Sequence, residues 1–337
     1  MSRGTCGVRR PLIARMTVLT AIAVMILGTI GAVRIGAFGA PPKAMAQQSG
    51  DQTITLSFVG DILLDYGVGD LISREGPMAP WESVKDILAA SDFTMGNLEC
   101  AVGTTGTPMP DKTYTFRADP TALEGLVGSG FDAVSLANNH TLDYGMDCFL
   151  ETLDHVAASG IAVVGAGRNE AEARAPYIFE KNGISVGVLA TNLVVPTTEW
   201  AATDTKPGQA FDWGGRRGSG ICASVEALRQ QVDIVVVMLH WGEERTTEPE
   251  SWVKNMEIGL REAGADIIIG GHPHILRSIR YDGQTLTAHS MGNFVFTIRA
   301  DIPACQESAI LTVTVSKDGI ESAEVYPTRI VNYRAIP

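Results

Sequence analysis

Short apolar runs in this chain stop abruptly at polar clusters, and five of its six histidines stand at those stops. The runs are Asp132 to Ala137 before Asn138-Asn139-His140, Asp233 to Leu239 before His240-Trp241-Gly242, Ala265 to Gly270 before Gly271-His272-Pro273-His274, and Leu286 to Ala288 before His289-Ser290. Runs this short, alternating with stretches of helical spacing, predict parallel strands buried on both faces. Ligands of such sheets collect at the carboxyl ends of the strands, where the loops converge on one crevice. Histidines dealt out one strand end at a time therefore predict a shared site.

The same alternation organises the rest of the chain. Thr53 to Val59 runs into Gly60-Asp61, and Asp92 to Met95 leads to Gly96-Asn97-Leu98-Glu99. Helical spacing marks 80–90, 120–127, 145–158, 224–231 and 249–263. Residues 175–190 read as a strand pair turning at Asn182-Gly183, a favoured hairpin dipeptide. The end of the chain turns to strands at 284–288, 309–315 and 320–326, while 196–220 is the longest irregular stretch. The pattern is α/β, a mixed sheet or sandwich flanked by helices. With 337 residues and 45% hydrophobic content, there is enough apolar material for a sizeable core.

The first 46 residues stand apart. Arg3, Arg9, Arg10 and Arg15 precede an uncharged stretch from Met16 to Val33, and Ala44-Met45-Ala46 follows. These are the parts of a secretory signal, and the apolar stretch is also long enough to serve as a membrane anchor. Export is expected on either reading. The divisions that follow are 1–46 as signal or anchor, 47–53 as linker, 54–330 as the folded domain and 331–337 as a C-terminal tail. Residues 1–46 hold six basic side chains and no acids, so without them the net charge goes from −12 to −18. Such a domain is repelled by polyanions in bulk, which excludes nucleic acid as a partner, and local cations are needed to hold an acidic substrate. Cys100, Cys148, Cys222 and Cys305 lie outside the signal and lack zinc-finger spacing; they are open to disulfides in an export compartment or to use as buried thiols.

Six strand-end clusters carry the candidate chemistry: Asp61; Asn97 and Glu99; Asn138, Asn139 and His140; His240; His272 and His274; and His289, Ser290 and Asn293. Carboxylates, imidazoles and an amide oxygen suit a divalent transition metal, one or two ions of Mn, Fe or Zn, better than calcium. In an extended segment His272 and His274 point to the same side and reach one centre together. Asp65, Asp143, Glu243 and Glu244 are expected in solvent, and His155 lies mid-helix as a structural or exposed group.

Gly60-Asp61, Gly96-Asn97-Leu98-Glu99, Ala137-Asn138-Asn139-His140, His240-Trp241-Gly242, Gly271-His272-Pro273-His274 and Ser290-Met291-Gly292-Asn293-Phe294, in this order, resemble the capsule-synthesis protein CapA family, also called poly-γ-glutamate synthesis accessory proteins. That family is similar in turn to the calcineurin-like metallophosphoesterases. The resemblance implies a metallophosphatase-like sandwich of mixed sheets, with Asp61, Glu99, Asn139, His240, His272 and His274 as metal ligands and His140 as a general acid. Asn97, Asn138, His289, Ser290 and Asn293 then face substrate or support the ligands. Two positions depart from the phosphoesterase pattern: Leu63 stands where a histidine ligand would follow Asp61, and Glu99 where the bridging carboxylate would be Asp. The implied function is capsule or poly-γ-glutamate assembly at the membrane, with an anionic surface polymer or its synthase subunits as partners. Hydrolysis of phosphoesters or γ-glutamyl amides is a second reading, and a non-catalytic binding module a third.

Overall fold

A computed structural model describes residues 52–212, 220–298 and 302–337. The proposed signal or anchor, 1–46, lies outside them. Two sheets make the frame. In the first, the strands run in the order Arg334–Ile336, Gly319–Val331, Glu307–Ser316, Ile54–Ile62, Phe93–Leu98, Ala133–Ser135 and Ala162–Val164, with Asn293–Val295 also pairing beside Ile54–Ile62. The order in the second is Ile279–Tyr281, Leu286–Ala288, Ile267–Gly271, Ile234–His240, Ile184–Asn192 and Tyr177–Lys181. The first sheet is antiparallel from Arg334–Ile336 to Ile54–Ile62 and parallel from there to its Ala162–Val164 edge, while the second is parallel at its centre and antiparallel at both edges.

The packing of alternate side chains defines four layers. In the strand Ile234–His240, Ile234, Val236 and Met238 meet Leu56, Phe58, Met95 and Val313 of the first sheet. Val235, Val237 and Leu239 instead meet Val225, Val253, Met256 and Leu260 on the helices Gly220–Leu228 and Ser251–Ala263. On the far side, helices Tyr66–Glu75, Leu123–Gly128 and Gly145–Ala158 cover the first sheet through Val68, Leu126, Phe149 and Val156. A run apolar at every position is thus buried on both faces, and each such side chain contributes about 1.5–3 kcal/mol. The helices and sheets form a helix–sheet–sheet–helix sandwich.

Several local readings change. Only Lys85–Ala89 of the stretch 80–90 is helical; Trp81 turns inward to pack on Phe131 with ring centroids 5.4 Å apart. The residues read as a tail, 331–337, contain the strand Arg334–Ile336, which folds back on Gly319–Val331 with Asn332 and Tyr333 at the turn in left-handed conformations. Cys100, Cys148 and Cys305 are buried free thiols, and Cys222 is buried as well. Among the described residues no helix is long and apolar enough to cross a membrane.

Candidate metal centre

The carboxyl ends of both sheets open on the same edge of the sandwich, and a bulge aims the first acid there. Phe58 pairs with Met95 but Asp61 with Asn97, three residues against two. The extra residue in the bulge reverses the alternation, so Asp61 faces the second sheet, as Phe58 does, instead of the helix layer. Gly60 allows this because the backbone at Gly292 runs against it; a Cβ on Gly60 would lie 1.9 Å from the Gly292 carbonyl oxygen. Leu63, two residues on, is buried in the helix-side core and points away from the centre.

Glu99 follows the strand Phe93–Leu98 and is fully buried, and among the described residues neither of its carboxylate oxygens has a hydrogen-bond partner. Its Oε1 lies 3.5 Å from Nε2 of His240, 3.9 Å from Nε2 of His274 and 4.0 Å from Nε2 of His140. Asp61 accepts from the Asn97 amide at 2.8 Å and from the His272 backbone N–H at 3.0 Å, and its Oδ2 lies 3.3 Å from Nδ1 of His274. Two sets of groups offer ligand atoms that all lie within 4.8 Å of one another: Glu99 with His272 and His274, and Asp61 with Glu99 and His240. Asn139 Oδ1 meets His240 Nε2 at 2.9 Å. A second layer of amides fixes these groups. Asn97 bridges Asp61 and His240, Asn138 donates to Asn97 and to the Leu98 carbonyl, and Asn293 accepts from or donates to His274 at 2.9 Å and 3.3 Å.

The two loop histidines converge by an unexpected route. His272 and His274 have φ of +90° and +57°, so the segment is folded through left-handed residues and is not extended. Side chains other than glycine seldom hold that conformation unless their surroundings impose it. Gly271 permits the close approach, since a Cβ there would lie 2.5 Å from Asp61 Oδ1.

Electrostatics separates the members of the cluster. Burial, and then the Asp61 charge, hold the Glu99 carboxyl well above its usual range. Burial drives His240 well below the imidazole range and His272 down to about 4. His274 goes the other way: burial opposes its charge, but Glu99 and Asp61 raise it to about 10. The carboxylate pair thus draws positive charge to the spot between the strand ends. The donor set, with buried carboxylate oxygens and the buried Nδ1 of His272 unpartnered, fits a divalent transition metal.

Beside the ligands, His140 Nδ1 faces Asp143 Oδ2 at 2.6 Å, which leaves Nε2 turned toward Glu99. Asp143, expected in solvent, is fully buried; it also accepts from the Phe116 N–H and from Lys112 Nζ. Lys112, which no strand-end pattern singles out because it sits in the loop between the strands Ala101–Val102 and Arg117–Ala118, also touches the Asn139 carbonyl and lies over the Trp200 ring. Burial lowers His140 despite Asp143, and lowers Lys112 despite the same partner. His289 lies elsewhere: its Nε2 pairs with Glu257 of the helix Ser251–Ala263 at 2.9 Å and its Nδ1 meets Ser278. Ser290 accepts from the Gly292 N–H and shapes the turn. Glu243 and Glu244 are exposed, and His155 is partly buried on its helix.

Two facing sheets whose strand ends present buried carboxylates and imidazoles define an α/β sandwich with a candidate metal centre at one edge. The solved structure described as "Putative 5'-Nucleotidase from Staphylococcus aureus" shares the fold, with a TM-score of 0.50 at 17% identity over 82% of this chain and 54% of that one. A profile described as "Bacterial capsule synthesis protein PGA_cap" matches residues 55–298, and the chain belongs to that family. It is similar to the PGA biosynthesis protein CapA of Bacillus subtilis, 29% identical over 83% of this chain and 72% of the relative. To the capsule biosynthesis protein CapA of Bacillus anthracis it is also 29% identical, over 93% and 75%.

Proposed function

We propose that this protein is exported to the cell envelope and serves the assembly of a capsule or poly-γ-glutamate-like anionic polymer through a metal-dependent hydrolytic centre. The observation that carries the reading is Glu99, a buried carboxylate without hydrogen-bond partners, ringed by imidazoles from three separate strand ends. A buried charge of this kind costs several kcal/mol unless a counter-charge meets it. Asp61, Glu99, His240, His272 and His274, with the Asn139 amide oxygen, would hold one or two ions. When bound, such an ion polarises an anionic or carbonyl oxygen and supplies a nucleophile at neutral pH.

The chain's own groups supply the proton chemistry. Asp143 holds the His140 ring with Nδ1 toward itself, so the proton that moves is at Nε2, on the side of Glu99. Nε2 is then placed to take up a proton released at the centre and hand it to a leaving oxygen or nitrogen, a contribution of about 10²–10⁴ in rate. The substrate classes that suit this arrangement are phosphoesters and γ-glutamyl amides. Residues 1–46 support delivery to the envelope as a cleaved signal or an anchor, and the relatives' names support the polymer.

The test is elemental analysis of the native protein together with turnover of phosphoesters and γ-glutamyl peptides by wild type and His140→Ala. One or two equivalents of Mn, Fe or Zn, with turnover lost in His140→Ala and metal retained, are expected. Metal-free native protein, or turnover indifferent to residue 140, would sink the hydrolytic reading. Unchanged surface polymer after deletion of the gene would sink the envelope role.

A further inference from the structure

A wall of aromatic rings leads outward from His140. Phe116 stacks on the His140 ring with centroids 4.1 Å apart. Tyr66 meets Phe116 edge-on at 5.5 Å, Tyr114 lies at 6.5 Å from it, and Phe116 contacts Phe296, whose ring is 5.1 Å from His274. The inner rings are buried, but Tyr66 is 47% and Tyr114 55% exposed. Tyr66 has φ of +51°, a conformation that a bulky side chain adopts only where the structure enforces it. Its backbone N–H donates to Asp65 and its hydroxyl to the Thr115 carbonyl, which pins the ring beside Phe116.

The charges around this wall are unsuited to a long polyanion. Lys112 is held by Asp143, the Arg117 guanidinium is turned to the Thr105 carbonyl and the Tyr144 ring, Arg245 is paired with Glu244, and Asp111 is an exposed acid three residues before Tyr114. One anionic group can be met at the metal ligands, but successive carboxylates along a chain would find acids and phenols. Exposed aromatic faces stack well on flat rings. Building on the metal-centre reading, we propose that Tyr66 and Tyr114, backed by the buried Phe116, form a binding subsite for a neutral ring, a sugar or a nucleobase. The ring is joined to a single phosphate that lies at the centre, and recognition is not of an extended polyglutamate.

Binding to the metal-loaded full chain is measured by calorimetry with inorganic phosphate, glucose 1-phosphate, a nucleoside monophosphate, methyl glucoside and tri-γ-glutamate. At least one ring-bearing phosphate is expected to bind about five- to hundredfold tighter than inorganic phosphate, the span given by stacking on aromatic side chains. Preference for the glucose or the nucleoside compound distinguishes the two ring sources. In Tyr114→Ala and in Tyr66→Gly, which keeps the left-handed backbone without strain, that gap collapses while inorganic phosphate binds as before and the melting temperature holds. A gap that survives in the double variant, equal affinity of all phosphates in wild type, or tightest binding by tri-γ-glutamate overturns the subsite. Failure of inorganic phosphate to bind counts against the centre alone if methyl glucoside still binds in a Tyr114-dependent way. If neither binds, both fall.

Discussion

Two buried clusters of charge lie on either side of the loop after the strand Ile234–His240, and they are satisfied to opposite degrees. On one side Arg277, fully buried, donates from all three of its nitrogens: to the Thr246 carbonyl and hydroxyl, to the Glu243 carbonyl and to both oxygens of Glu250. On the other side Glu99 accepts no hydrogen bond from any of the described residues. The first cluster balances itself and ties the loop down. Its neighbour is met from within only by the His274 ring, 3.9 Å from Glu99 and 3.3 Å from Asp61, and keeps the Glu99 oxygens open to a group brought from outside. Burial of charge alone therefore does not mark a functional site in this fold; the unspent hydrogen-bonding capacity of the buried group does.

Four outcomes would sharpen or break that contrast. The largest belongs to Glu99→Gln, which keeps the shape and removes the charge. Metal affinity should fall by more than the roughly 10–100-fold that losing a supporting partner costs, while the metal-free protein becomes more stable to urea. Retained metal in this variant, by elemental analysis, would end the distinction. Next comes Glu250→Gln, which strands the Arg277 charge. Here about 3–5 kcal/mol of stability should be lost in denaturant titration, with metal content untouched.

Acid addresses the same pair more gently. Burial would raise the Glu250 carboxyl, but the hydrogen bonds from Arg277 bring it down to about 2. A carboxyl lower in the folded than in the unfolded state contributes stability that is full above its ordinary pKa of 4.5 and is lost as pH falls toward 2. Wild type should lose stability across that window more steeply than Glu250→Gln, read by melting temperature against pH. The smallest effect is expected from His289→Asn, which breaks the pairing with Glu257 for about 1–3 kcal/mol and leaves metal binding as it was. A loss of metal there would draw His289 back into the centre.

The sandwich was legible because strands buried on both faces leave unbroken apolar runs, and because a strand's carboxyl end is where its polar residues begin. The carboxylates and imidazoles that meet at those ends were legible for the same reason. What periodicity does not carry is local geometry. The bulge before Asp61 and the left-handed turns at His272 and His274 depend on backbone contacts with Gly292 and Asp61, which are distant in sequence. Asp143 looked solvated because a lone acid in a polar turn usually is, although its position three residues after His140 was a usable signal. Lys112 gave none, since a lysine in a Gly/Thr/Pro-rich stretch is ordinary until the loop is seen folded over His140. His289 followed an apolar strand as the others did, but one step of alternation turned it toward the helix layer.

One hydrogen bond sets the timing of the centre. The His272 N–H reaches Asp61 across 211 residues of chain, and no short segment brings two carboxylate and two imidazole ligands together. Closing contacts over such separations costs loop entropy that only the completed pairing of both sheets offsets. A nascent or half-folded chain therefore lacks this cluster, so under the proposed function capture of an ion would follow folding and would not guide it. Loading would then report that the whole sandwich has closed.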